Sequence, residues 1–227
     1  MSQPRPSRFQ RPGFGGPRRS GSGGGGQPML NLPPVVTAIL VVTVAVYIIQ
    51  MLLPVNLEQE VLFRFGFIPA RFGGPLDDVL TLVTPVTYMF LHGGLFHLII
   101  NMVFLAAFGS GVERVMGGGN LLLFYIVSGV AGAFAQYILD PTSYVPMVGA
   151  SGAISGLFGA IILMMNRVGG GNRQQVLILV VVWIGISVVF GMTGMPGVAE
   201  QVAWAAHVGG FLAGLALFAI LFRRRRS

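Results

Sequence analysis

The chain contains no cysteine, which removes disulfides, thiol nucleophiles and thiolate metal sites together. It contains no lysine either: all 14 basic residues are arginine, set against seven acids. Charged residues make up 9% of the 227 positions, where a soluble chain carries about 25%. An ordinary soluble domain is therefore excluded. Stretches without any charge are correspondingly long, Pro141 to Asn166 and Gln201 to Phe222 among them. A long-period internal repeat is also missing, which argues against a transporter assembled from duplicated halves.

What remains is apolar. Hydrophobic residues account for 54% of the chain and the mean hydropathy is +0.78. A chain of this length accommodates six helices of about 20 residues, each long enough to cross a bilayer. Val35 to Leu53 is the first expected span, with Pro33, Pro34 and Pro54 punctuating its ends. Five more follow at Leu95 to Ser110, Leu121 to Leu139, Ala150 to Asn166, Gln175 to Met192 and Ala203 to Phe222. The fold class predicted is an all-α membrane bundle of six spans.

Three regions result. Residues 1–31 are Gly, Pro, Ser, Gln and Arg, predicted to be a disordered basic tail. No small-residue cleavage site follows the first apolar run, so this tail does not read as a signal peptide. Residues 32–222 hold the bundle, and residues 223–227 close the chain as a second basic tail. Between the first two spans, residues 55–91 carry Glu58, Glu60, Arg64, Arg71, Asp77 and Asp78, interleaved with Phe63, Phe65, Phe67 and Phe72. Such a mixture belongs at the membrane interface.

Arginine placement sets the orientation. With both termini cytoplasmic, twelve of the 14 arginines fall on the cytoplasmic side, leaving Arg64 and Arg71 outside with six of the seven acids. Positive-inside asymmetry of this size favours an even number of spans. The basic balance is thus topological, with the lipid bilayer as partner and no nucleic acid. An arginine-rich, lysine-free composition also fits a GC-rich bacterial genome, so the expected location is a bacterial plasma membrane.

Polar groups inside a membrane are expensive and usually functional. All three histidines stand in or beside the expected spans: His92, His97 and His207. Ser151 opens the fourth span within Gly149-Ala-Ser151-Gly152, where a helix start offers unpaired N–H groups to developing negative charge. His207 lies near the start of the sixth, followed by Gly210 and Gly214 at the spacing of a close-packing face. Both spans begin on the external side, so the two residues share a depth. A serine hydroxyl becomes nucleophilic beside a base such as neutral imidazole. No acid occurs within either span, so the expected arrangement is a Ser-His dyad without a carboxylate. His97 and Asn101 lie four apart and project from one helix face, positioned to donate to an oxyanion. His92 is expected to shape the site. The competing reading makes each of these a packing residue or an interhelical hydrogen bond. Zinc is disfavoured, because no carboxylate stands near any histidine to complete a hydrolytic metal motif.

At these residues the chain resembles the rhomboid family of intramembrane serine proteases. The resemblance covers about residues 60 to 220. It rests on His92-x4-His97-x3-Asn101, Gly149-x-Ser151-Gly152, Ala206-His207-x2-Gly210-x3-Gly214 and the Gly111-Val-Glu113-Arg114 segment between spans two and three, whose order and intervals agree with that family's. It implies Ser151 as nucleophile, His207 as general base, and an oxyanion site of His97, Asn101 and the Ser151 backbone N–H. It further implies transmembrane protein substrates cut in or next to a membrane helix, no cofactor or ATP, and a structural role for Glu113 and Arg114. Two features depart from the family pattern. Val79 to Thr84 lacks the Trp-Arg pair common in the first loop, and Ser155 replaces an aromatic that often packs on the catalytic imidazole. The orientation of His207 must then come from elsewhere. A residue segment around Met192 to Val198 is expected to cap the side where substrate enters. The alternative reading is a non-catalytic relative that binds transmembrane helices without cutting them.

Overall fold

The computed structural model describes residues 31–74, 78–167, 172–193 and 203–223. Residues 1–30 of the basic tail, arginines 224–226 and residues 194–198 of the expected cap lie outside them. Among the described residues the fold is helical, and its extended pairing is a single isolated bridge between Phe67 and Met147.

Helix α1 (Pro34–Leu52) starts where the sequence places it, with Pro34 at the first helical position, where its missing N–H costs nothing. The next two backbone donors would be orphaned. Glu113 takes both, accepting from Val35 N at 3.0 Å and from Val36 N at 2.8 Å. A carboxylate from a distant helix thus caps α1 and complements its positive dipole end.

The connection after α1 has more structure than its composition announces. Helix α2 (Val55–Phe65) buries none of its residues and pairs Arg64 with Glu60 across one turn at 2.9 Å, as suits an interfacial helix. A 3-10 turn (Pro69–Phe72) follows, then α3 (Val79–Thr87), capped by the Asp78 side chain accepting from Leu80 N. Pro85 inside α3 cannot donate to the Thr81 carbonyl. The Thr84 hydroxyl does so instead, at 2.8 Å, which keeps this helix continuous.

Helix α4 (Leu95–Phe104), a π-helical turn (Leu105–Gly109) and α5 (Ser110–Met116) run on as one apolar helix of 22 residues. It passes the expected end at Ser110, because nothing there breaks it. Gly117, with φ of +84°, ends it. Then come α6 (Gly118–Leu139), α7 (Ser151–Arg167), α8 (Arg173–Thr193) and α9 (Trp204–Arg223). Among the described residues four helices are long and apolar enough to cross a membrane: Pro34–Leu52, Leu95–Met116, Gly118–Leu139 and Trp204–Leu221. The segments Ser151–Met165 and Gln174–Val189 are shorter apolar helices at the remaining expected positions.

The core is the triad α6, α7 and α9, and glycine makes it. A methyl group on Gly210 would strike the Gly152 carbonyl, and one on Gly214 would strike the Gly156 backbone. Gly159 faces Phe211 O and Gly209 faces Ala131 O less tightly, 2.8 and 2.9 Å from where a Cβ would stand. Helices without a hydrophobic drive to associate gain their contact by such backbone approach. Helix α8 lies outside this triad and docks through Trp183, whose ring packs 4.8 Å from Phe158 and 5.5 Å from Phe104.

Candidate active site

Loop residues 143–150 lead into α7 and are pinned from three directions. Phe67 and Met147 exchange backbone hydrogen bonds at 3.0 and 2.8 Å, Ala70 N donates to Ser143 O, and Gly149 N donates to Tyr88 O at 2.9 Å. The chain then turns through Gly149 at φ +117°, a region open to glycine and strained for other residues. A side chain there would also meet His97, whose ring atoms Cε1 and Nε2 lie 2.7 and 2.8 Å from the Cβ position.

Ser151 is the first residue of α7. The first intrahelical bond of this helix is Ile154 N to Ala150 O, so the preceding N–H groups are those a helix start leaves without intrahelical partners. The Ser151 Oγ lies 2.7 Å from His207 Nε2. His207 is buried, at 9% exposure, so this contact is sheltered within the bundle. It exists because α7 and α9 touch backbone to backbone at Gly152 and Gly210; a bulkier pair would hold the hydroxyl and the imidazole apart. For Nε2 to accept the serine proton, the ring proton must sit on Nδ1, which is buried with no hydrogen-bond partner.

Among the described residues no aromatic ring packs on His207. Ser155, buried one turn after Ser151, donates to the Ser151 carbonyl at 2.8 Å and so braces the first turn of α7. Close backbone contact seats α9 on α6 next to His207: the Ala206 carbonyl lies 2.7 Å from the Cβ position of Gly132 on α6.

The other sequence-selected residues divide. His97 stands on Gly149, two residues ahead of Ser151. Asn101 is buried, but its Nδ2 turns back to the His97 carbonyl at 2.9 Å. One of its two N–H bonds is thereby used within α4, and the second is left for another acceptor. His92 lies edge-on to His97 with ring centroids 5.2 Å apart, and neither of its ring nitrogens bonds a side chain.

Two residues at this site escaped the sequence reading. Gln50, on α1, pairs with the His92 backbone: its Nε2 donates to His92 O at 3.3 Å and its Oε1 accepts from His92 N at 3.2 Å. It is the lone carboxamide in an otherwise apolar span, which was the available signal. Tyr88 donates its hydroxyl to Gly129 O on α6 at 2.8 Å and sits 3.0 Å from the Cβ position of Gly152. It wedges under the start of α7, and nothing in the sequence distinguishes it from other aromatics.

A serine hydroxyl on an imidazole, beside a helix start and a second imidazole, can run acyl transfer. Comparison with known proteins shows the family: the rhomboid domain family model matches residues 80–224. The chain belongs to the rhomboid family. It is 29% identical over 194 residues to the putative rhomboid protease YdcA of Bacillus subtilis (strain 168), covering 84% of this chain and 90% of that one. It is 32% identical over 139 residues to the rhomboid protease GluP of the same organism, covering 59% of this chain and 24% of GluP. RHOMBOID-like protein 6, mitochondrial, of Arabidopsis thaliana is 33% identical over 188 residues, 74% of this chain and 59% of that protein. This rhomboid thus spans nearly the whole of one relative and only part of the others. Family and apolar helices together make it an integral, multi-pass membrane protein.

Proposed function

We propose that this rhomboid is an intramembrane serine endopeptidase, hydrolysing peptide bonds in or next to transmembrane helices of membrane-anchored substrate proteins. The observation that carries the reading is the 2.7 Å contact between Ser151 Oγ and His207 Nε2 in a buried, glycine-built junction. The domain that acts is the six-span bundle of residues 32–222, flanked by basic cytoplasmic tails. Its setting is a bacterial plasma membrane, with the site near the external face.

A helical carbonyl is hydrogen-bonded and hidden, so the substrate must unwind locally before attack. The Ser151 oxygen then bonds to the exposed carbonyl carbon while His207 Nε2 takes the serine proton. Negative charge gathers on the former carbonyl oxygen. His97, the second Asn101 N–H and the Ser151 backbone N–H are the donors at hand. As the C–N bond breaks, His207 passes its proton to the departing amine. Water next adds to the acyl-enzyme ester, His207 accepts its proton, and collapse releases the acid and restores the serine.

The test is the purified protein in liposomes with a single-span substrate. Cleavage is expected from the wild type, with Ser151→Ala and His207→Ala each reducing it by about 10⁴ or more and chelators leaving it unchanged. Substrate binding without cleavage by the wild type would instead identify a non-catalytic helix binder. Inhibition by chelators would identify a metalloenzyme.

A further inference from the structure

The Gln50 clamp is not used by the reaction just described. A carboxamide in an apolar membrane helix must find partners, and Gln50 could find them on its own helix, as Thr43 does with the Ile39 carbonyl. It reaches instead across to a single residue of another segment and satisfies both that residue's N–H and its C=O. Both partners are buried, Gln50 at 2% exposure and His92 at 1%. A side-chain amide paired this way acts as an added strand of backbone, fixing translation and rotation of the peptide it grips.

The gripped peptide is the one that aims His97. His92 ends the turn ahead of α4, its ring meets the His97 ring edge-on, and the His97 ring in turn rests on Gly149 beside Ser151. No side chain bonds either ring nitrogen of His92, so the Gln50 grip on its backbone is the side-chain tie that locates this histidine. We propose that Gln50 is a positioning residue for the oxyanion side of the site, acting through His92 to set the His97 ring against the Gly149–Ser151 turn. This rests on the serine-protease reading above. It also gives α1, which lies outside residues 80–224 of the family match, a part in the chemistry.

The experiment is a double-mutant cycle on the full chain in liposomes. Gln50→Met keeps length and removes both hydrogen bonds. Loss of a direct oxyanion donor costs ~10²–10³ in kcat, so loss of its alignment is expected to lower kcat about tenfold. KM should change less than twofold. In a His97→Ala background, Gln50→Met should have no further effect on kcat, because the group it positions is gone. Melting temperature, followed in parallel, separates folding from alignment. A Gln50→Met protein with normal kcat and a lower melting temperature overturns the proposal, as does an effect that simply multiplies with that of His97→Ala. If the wild type shows no Ser151-dependent cleavage, the protease reading falls and this role falls with it; cleavage with additive mutants removes the role of Gln50 alone.

Discussion

Gly149 is where backbone geometry and chemistry meet in one residue. Its φ of +117° suits glycine, and the space a side chain would need is filled by His97. Gly149→Ala therefore imposes backbone strain of about 1–3 kcal/mol and pushes the imidazole off the turn that carries Ser151. We expect a folded protein whose turnover falls at least tenfold. A fluorophosphonate that titrates Ser151 should label it correspondingly slowly, and labelling at the wild-type rate would remove Gly149 from the site. Ser151 and His207 were legible because glycines at four-residue spacing announce close helices, and close helices bring their polar residues together. His97 was reached through its four-residue spacing from Asn101 on one helix face. Spacing did not reach the turn-back of Asn101 to the His97 carbonyl, nor the grip of Gln50 on His92. Those bonds depend on which backbone groups a neighbouring segment leaves free, and no periodicity encodes that.

At the scale of helices, the long connection shows how composition conceals structure. Mixed aromatic and charged residues marked it as interfacial, yet α3 rests on finer cues: an Asp78 cap and a Thr84 hydroxyl standing in for the donor that Pro85 lacks. The junction of α5 with α1 rests on one side chain. Glu113 satisfies two α1 donors that a proline start leaves open, and it does so from a buried position. Glu113→Ala strands both N–H groups at a cost of about 1–3 kcal/mol each, while Glu113→Gln retains one acceptor oxygen and so about half the benefit. The melting temperature in detergent is expected to fall in the order wild type, Gln, Ala. Catalytic constants of the protein that stays folded should hardly change, since this junction lies at the opposite end of α4 and α5 from His97. Equal melting temperatures for all three would mean that water caps α1 as well as the carboxylate does.

For the molecule as a whole, the Glu113 contact joins the end of α5 to the start of α1, so those two ends share one membrane side. Helices that alternate from there put the starts of α7 and α9 together on the other side, where Ser151 and His207 meet. Packing and arginine placement thus agree on relative topology by independent routes. The proposed cytoplasmic placement of both termini rests on charge alone: the closing Arg223 to Arg226 and the five arginines of the first 19 residues would cross only at high cost. Because the chain has no cysteine, single cysteines report sidedness without background. In intact cells, an impermeant maleimide should label Ser143→Cys, in the loop before Ser151, and leave Ser227→Cys unmodified until the membrane is opened. The reverse pattern would turn the protein over and place the dyad on the cytoplasmic side, where only substrates with cytoplasm-facing cleavage sites could reach it. Labelling at both positions would contradict the three crossings between them that the six-span bundle requires.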